Sequence, residues 1–157
     1  MGLNVVLYQP ETPANTGNIA RTCAAINAPL HVIRPLGFST NDRMLKRAGL
    51  DYWQYVDIRY YDHLNDFFSK NAEGDYYYLT KFGEHHYTDF DYSDRNKEIF
   101  FVFGRESDGL PDDLKAANRE RCLRVPMGEH VPALNLSNTV AIMVYEALKQ
   151  QGYPTLS

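Results

Sequence analysis

The sequence has few cysteines and no long apolar run. Its 157 residues include two cysteines, Cys23 and Cys122, which lie far apart and lack the close spacing of metal-binding cysteines. We expect both to be buried free thiols, and we predict no metal site. No apolar run approaches the roughly 18 residues that a membrane span requires, and the first residues lack the basic start of a secretory leader. These absences predict a cytoplasmic protein that does not enter a membrane.

The sequence also lacks net positive charge and the familiar phosphate-binding motifs. Its net charge of −4 at pH 7 argues against a protein that coats nucleic acid without specificity. A local basic patch that binds one RNA remains compatible with this charge. Neither G-x-G-x-x-G nor G-x-x-x-x-G-K-[ST] occurs. Their absence disfavours a nucleotide-dependent enzyme of flavodoxin-like type.

Short β-type runs alternate with helical patterns along the chain. Strands are predicted at 3–8, 30–35, 55–61, 75–82, 98–104 and 121–127, and helices at 15–27, 40–50, 62–71, 111–118 and from about 137 to 151. Residues 83–97 show no period and are predicted to be a loop. The alternation predicts a single α/β domain with a mainly parallel sheet flanked by helices. Ligands of such sheets bind beyond the carboxyl ends of the strands.

The last predicted helix is apolar on two sides. Its main apolar stripe has the spacing of a core-facing helix and consists of Val140, Met143, Val144, Ala147 and Leu148. Ile142 and Tyr145 form a second apolar side, which indicates a second buried surface such as a subunit interface. We expect Ser137 or Asn138 to cap the start of this helix, and Gly152 to end it.

Three polar clusters follow predicted strands. The first contains Asn15, Thr16, Asn18 and Arg21, the second extends from Gly104 to Pro111, and the third extends from Val125 to Asn138. Each cluster alone has an ordinary explanation. The first fits a surface helix capped by Asn15 or Thr16, the second a strand-to-helix turn, and the third a helix cap with a braced loop. The alternative is that the three clusters together form a ligand site.

Together the clusters resemble the three motifs of the SPOUT class of RNA 2′-O-methyltransferases. The resemblance rests on Asn15-Thr16-Gly17-Asn18 with Arg21, on Gly104-x-Glu106-x-x-Gly109-Leu110-Pro111, and on Val125-Pro126-Met127 with Asn135-Leu136-Ser137-Asn138. It covers almost the whole chain and is strongest to the short bacterial members that act on the wobble nucleotide of tRNA. Asp108 departs from the pattern, because close relatives often carry a basic or neutral residue there. We expect this difference to alter RNA contacts rather than to remove the chemistry.

The resemblance implies a fold, an activity and partners. The sheet would be followed by a C-terminal deep trefoil knot, in a single domain of residues 1–157 without an appended RNA-binding domain. The protein would be a homodimer, with the first and last helices at the interface. It would use S-adenosylmethionine to methylate the ribose of the wobble cytidine or uridine in the anticodon stem-loop of tRNA, with leucine isoacceptors as the expected substrates. The alternatives are another tRNA or rRNA position, or a non-catalytic RNA-binding member of the same fold.

The resemblance also assigns site residues. Positions that match the family's cofactor contacts are Leu79, Gly104, Val125, Ala133, Leu134 and Asn135. Arg21 matches the central catalytic arginine, Glu106 would orient it, and Asn15 and Ser137 would complete the set of hydrogen bonds. Because a guanidinium stays protonated in proteins, we expect Arg21 to stabilise developing charge rather than to act as the general base. The identity of the base is left open.

A basic face is the predicted contact with RNA. Arg43, Lys46 and Arg47 are neighbours on one face of the helix predicted at 40–50. Asn18 shares a face of the first helix with Arg21 and is a further candidate. The alternative for the basic residues is a solvated helix face without a ligand.

Overall fold

The computed structural model describes residues 2–39, 43, 47 and 52–157. Its named elements in chain order are β1 (Leu3–Tyr8), α1 (Pro13–Ile26), β2 (Leu30–Ile33), β3 (Ile58–Tyr61), α2 (Leu64–Lys70), β4 (Asp75–Leu79), β5 (His85–His86), β6 (Ile99–Phe103), α3 (Asp112–Ala117), β7 (Cys122–Arg124) and α4 (Leu136–Gln151). Short 3₁₀ turns lie at Trp53–Tyr55 and Arg119–Arg121. The strands within the described residues form one sheet in the order β3-β2-β1-β6-β4-β7-β5. Every pairing in it is parallel, as the sequence predicts.

Side chains of alternate residues along the central strands pack against helices on opposite faces of the sheet. In β6, Phe101 and Phe103 share a core with α1 and α4, whereas Phe100 and Val102 share a second core with Phe67 of α2. The predicted apolar stripe of the last helix is fully buried in the first core. Cys23 and Cys122 are free and buried, as predicted, and burial raises the pKa of the Cys23 thiol to about 12.

The stretch 83–97 is more ordered than the sequence predicts. His85 and His86 form β5, which pairs with β7 at the edge of the sheet. Tyr92 is completely buried, its backbone N–H donates to Gln150 Oε1 at 2.7 Å, and its hydroxyl donates to the Tyr87 carbonyl at 2.6 Å. The prediction of an irregular loop is therefore wrong for His85 and His86, whereas Tyr92 and the rest of the stretch have no regular secondary structure, as predicted. The β7 partner of β5 and the Gln150 partner of Tyr92 are distant in the chain, so the local pattern gives no sign of these two contacts.

The predicted N-terminal caps of α1 and α4 are both wrong by a few residues. Helix α1 begins at Pro13 after Thr12, and neither Asn15 nor Thr16 caps it. Proline suits the first position of a helix because it has no N–H that needs a partner there. Helix α4 is capped by Asn135, whose Oδ1 accepts from the Ser137 N–H at 2.9 Å. Gly152 ends α4 with a positive φ of 76°, as predicted.

The helix predicted at 40–50 is described at two positions. Arg43 and Arg47 are helical and exposed. Lys46, the third member of the predicted basic face, lies outside the described residues. Among the residues described, no helix has the length and apolar character needed to cross a membrane.

Candidate functional site

A cavity of about 420 Å³ lies at the carboxyl ends of three strands. Its floor is formed by Leu79 at the end of β4, Phe103 and Gly104 at the end of β6, and Val125 just after β7. The loop that leads into α4 contributes another side. This is the place where a parallel α/β sheet binds its ligands, and the volume suits a small organic molecule.

The cavity brings together most of the predicted site residues. All six predicted cofactor residues line it, namely Leu79, Gly104, Val125, Ala133, Leu134 and Asn135. Asn15 and Glu106 line it as well. Residues from all three motifs therefore meet in one place, although more than 100 positions separate Asn15 from Asn135.

Gly104 allows two parts of the chain to approach closely. A Cβ atom at this position would lie 2.3 Å from the carbonyl carbon of Gly109 and 2.5 Å from the nitrogen of Leu110. The loop closes here because Arg105 N–H donates to the Gly109 carbonyl at 3.1 Å, and Gly109 N–H donates back at 3.0 Å. A larger residue would push this loop outward, so the cavity wall needs glycine at position 104.

Glu106 has one carboxylate oxygen with a partner and one without. Its Oε2 accepts from the backbone N–H of Glu11 at 2.8 Å. Its Oε1 is buried and finds no hydrogen-bond partner among the described residues. A buried acceptor without a partner carries a free-energy cost. Because Glu106 lines the cavity, a donor on a bound ligand can remove that cost.

An amide pair connects α1 to the start of α4. Asn135 Nδ2 donates to Asn15 Oδ1 at 3.0 Å, while Asn135 Oδ1 caps α4 and also accepts from the Ser137 hydroxyl. Both the amide nitrogen and the amide oxygen of Asn135 therefore have hydrogen-bond partners. Ser137 is half-buried and reaches the site through Asn135 rather than by lining the cavity.

Comparisons with known proteins show to which family this chain belongs. The SpoU rRNA Methylase family matches residues 2–145. The chain belongs to this family. A Geobacillus stearothermophilus protein is 67% identical over the full length of both chains and is named provisionally as a tRNA (cytidine(34)-2′-O)-methyltransferase. The Escherichia coli K12 protein with that name is 40% identical, over 97% of this chain and 96% of the relative.

Solved structures agree with the family. A structure described as giving insight into the 2-OH methylation of C/U34 on tRNA superimposes with a TM-score of 0.88, 41% identity and 96% coverage of both chains. The predicted resemblance and the SPOUT-class α/β fold with its C-terminal knot are confirmed. The prediction that the chain is a methyltransferase is confirmed as well.

Arg21 of this SpoU methylase lies apart from the cavity of its own chain. It is exposed, and its guanidinium carbon lies 4.7 Å from the centre of the Tyr52 ring. Among the described residues, those that line the cavity do not include Arg21 or the exposed Asn18. The six positions from Asn15 to Arg21 correspond to about 9 Å along the helix. The predicted roles of Arg21 and Asn18 stay predictions.

Several residues of the cavity wall are absent from the sequence-based prediction. Lys81, Phe82, Lys115 and Arg124 line it, and Phe82 is 78% exposed. Lys81 and Phe82 come two and three residues after the predicted contact Leu79, so their place in the chain offered a signal. Lys115 and Arg124 are half-buried and carry no such signal, because single basic residues are common on helices and at strand ends.

Asp108, the departure from the family pattern, also lines the cavity. Its carboxylate lies 3.5 Å from Arg105 Nη2 within the same loop. The pair reduces the positive charge that Arg105 alone would present at the cavity. In the part of the chain that the structure describes, no group of three or more histidine, cysteine, aspartate or glutamate residues could hold a metal ion.

Proposed function

We propose that the chain transfers a methyl group from S-adenosylmethionine to the ribose 2′-hydroxyl of nucleotide 34, the wobble position, in tRNA. The observation that carries this proposal is the meeting of all three motifs around one cavity, in a chain whose full-length relatives are named for this reaction. The expected substrates are leucine isoacceptors.

The cavity suits S-adenosylmethionine on three grounds. Its volume of about 420 Å³ matches a nucleoside with an amino-acid arm. The close chain approach at Gly104 leaves backbone groups at the wall, and Glu106 Oε1 offers an acceptor without a partner. The residues that would hold the cofactor are Leu79, Gly104, Val125, Ala133, Leu134 and Asn135. When bound, the cofactor supplies an electrophilic methyl group on a positively charged sulfur.

The protein's own residues would position the ribose. A hydroxyl is a weak nucleophile, so its alignment with the methyl group must be imposed by the site. Glu106 Oε1 would offer an acceptor from the cavity wall, the amides of Asn15 and Asn135 lie at the same wall, and Ser137 would act through Asn135. Arg21 would supply positive charge that stabilises the developing alkoxide or holds an adjacent phosphate.

Basic residues near the cavity would hold the RNA backbone. Lys81, Lys115 and Arg124 line its wall, and the exposed Arg43 and Arg47 belong to the predicted basic face. We further propose that the enzyme works as a cytoplasmic homodimer and that the methyltransferase domain itself binds the anticodon stem-loop. Because the net charge of the protein is −4, binding of RNA would depend on these local basic patches rather than on the overall charge.

The proposal is tested by methyl transfer to defined RNA. Purified protein is incubated with labelled S-adenosylmethionine and an anticodon stem-loop of leucine tRNA, and the product is mapped by mass spectrometry. We expect one methyl group at nucleotide 34. A stem-loop with 2′-deoxyribose at nucleotide 34 is the matched control and should accept none.

Three results would contradict the proposal. Methylation of the deoxy control would place the methyl group on a base or on another nucleotide. Methylation of total tRNA or rRNA only at another position would support the alternative substrate. Tight binding of RNA and cofactor without transfer would indicate the non-catalytic alternative.

A further inference from the structure

Two loops of the site hold each other through a reciprocal pair of glutamates. The Glu11 N–H, after β1, donates to Glu106 Oε2 at 2.8 Å. In return, the Glu11 carboxylate accepts from Ser107, the residue next to Glu106. The Ser107 N–H donates to Glu11 Oε1 at 2.9 Å, and the Ser107 hydroxyl lies 2.7 and 2.9 Å from the two Glu11 oxygens. Glu11 thus contacts two consecutive residues of the other loop, Glu106 through its N–H and Ser107 through its carboxylate.

The Glu11 segment is anchored independently of the loop that it holds. The Gly37 N–H donates to the Pro10 carbonyl at 2.9 Å. A Cβ at position 37 would lie 3.0 Å from Glu11 Cα, so the two segments are in close contact. The Glu11 backbone therefore has a fixed position before it contacts residues 105–109.

The loop of residues 105–109 depends on this contact at its tip. Its base is closed by the two hydrogen bonds between Arg105 and Gly109. Ser107 at the tip is exposed, and its N–H and hydroxyl both donate to the Glu11 carboxylate. These bonds, with the charge of Arg105, also keep the pKa of the Glu11 carboxyl below its ordinary value. Glu11 is therefore ionised at neutral pH and acts only as an acceptor.

Glu11 does not itself line the cavity, whose described wall includes Glu106 and Ser107. We infer that Glu11 is a positioning residue, which holds Ser107 so that Glu106 keeps its Oε1 available to the reacting groups in the cavity. The inference rests on the proposed function for its kinetic consequences. It adds a residue that lies outside the three motifs.

The kinetic test compares Glu11 variants in two backgrounds. Glu11→Ala should lower kcat about 10- to 100-fold, because small displacements of a positioning group are costly. KM for the stem-loop and Kd for S-adenosylmethionine, measured by calorimetry, should each change less than about threefold. Glu11→Gln should lie between Ala and wild type, because its amide oxygen can still accept from the Ser107 N–H. In a Glu106→Gln background, adding Glu11→Ala should change kcat less than about threefold, because residues that act through one another are not additive.

The control is Glu73→Ala, an exposed residue before the amino end of β4 and so at the opposite end of that strand from the cavity. It should leave kcat unchanged. An equal loss from Glu11→Ala in both backgrounds would overturn the inference, as would wild-type kcat for Glu11→Ala. If Glu11→Ala does not fold, Glu11→Gln carries the same comparison, because it keeps the side-chain length.

A structural readout separates this inference from the proposed function. In a crystal structure of ligand-free Glu11→Ala, the Glu106 carboxylate should move beyond hydrogen-bond distance, about 3.5 Å, of the residue 11 nitrogen. An unchanged Glu106 would overturn the inference whatever the enzyme methylates. Failure of the wild type to methylate RNA would instead contradict the proposed function and leave this measurement valid.

Discussion

At the residue scale, Arg21 differs most from expectation, because the family resemblance gives it a catalytic role and yet it lies away from the cavity of its own chain. Its guanidinium contacts the Tyr52 ring rather than the cavity. A cation over an aromatic face is held weakly at an exposed site, by about 0.5–1 kcal/mol. The side chain can therefore leave the ring for an RNA phosphate or ribose without a large cost.

Arg21→Ala should abolish methyl transfer while leaving cofactor affinity nearly intact, because the residue does not line the cavity. We expect a loss in kcat of about 10²–10³, as for removal of a single transition-state donor. Single-turnover transfer and calorimetric titration with S-adenosylmethionine measure the two effects. Tyr52→Leu is the companion variant and should retain transfer. Near-normal turnover by Arg21→Ala would refute the assignment.

His31 is a second residue with a measurable consequence. It is completely buried in β2, with Nδ1 2.8 Å from the Tyr61 hydroxyl and Nε2 2.9 Å from Asn4 Oδ1. Burial, with the charge of Arg59, lowers the pKa of His31 to about 4, although Asp57 and Glu98 oppose the shift. The folded protein therefore holds the neutral imidazole.

The free energy of unfolding should fall as the pH falls from about 6.5 to about 4. In this interval the unfolded chain protonates His31 and the folded chain does not, so the unfolded state gains a proton and stability decreases. The shift corresponds to about 3 kcal/mol over the interval. Urea unfolding of wild type and His31→Asn at several pH values measures the difference in slope. Parallel pH profiles of wild type and His31→Asn would contradict the prediction.

At the scale of the elements, the sequence predicts those whose signal is local. Strand β6 is a continuous apolar run, β1 is apolar apart from Asn4, and the apolar spacing of α1 and α4 fits one buried face each, so these elements were predicted nearly to the residue. Strand β5 and the burial of Tyr92 were not predicted, because they depend on pairing with β7 and on a hydrogen bond to Gln150, both distant in sequence. The N-cap of α4 was predicted two or three residues too late, because Asn135, Ser137 and Asn138 are all residue types that cap helices well.

Asn135 makes the start of α4 part of the site. Asn135→Ala removes the cap and the hydrogen bond to Asn15, so we expect a loss of about 1–2 kcal/mol of stability and weaker binding of S-adenosylmethionine. Asn138→Ala is the matched control, since Asn138 is exposed one turn inside the same helix end, and it should change stability by less than about 0.5 kcal/mol. Thermal unfolding and calorimetry measure both. Equal effects of the two variants would show that the cap position is immaterial.

At the scale of the whole molecule, the sheet order and the cavity could not be read from periodicity. The three clusters that line the cavity each have an ordinary local explanation, and their meeting depends on how β4, β6 and β7 lie beside one another. The order of the motifs in the family supplied that information. Glu11 shows the limit of this approach, because its partner Ser107 lies 96 positions away and neither residue belongs to a distinctive pattern.

The second apolar side of α4 bears on how copies of the chain associate. Tyr145 is 43% exposed and Ile142 is half-buried, although the opposite side of α4 is fully packed against α1 and the sheet. A large aromatic side chain left exposed on a helix that is otherwise core-facing suits an interface between copies. If α4 forms the predicted homodimer interface, burying a charge there without a partner should be costly.

Light scattering after size exclusion should therefore give twice the chain mass of 18.1 kDa for wild type and a shift towards the monomer for Tyr145→Glu. Asn65→Glu, at an exposed position of α2 on the opposite face of the sheet, adds the same charge and should stay dimeric. A monomeric wild type would contradict the predicted homodimer. A Tyr145→Glu variant that stays as dimeric as the control would place the interface elsewhere on the molecule.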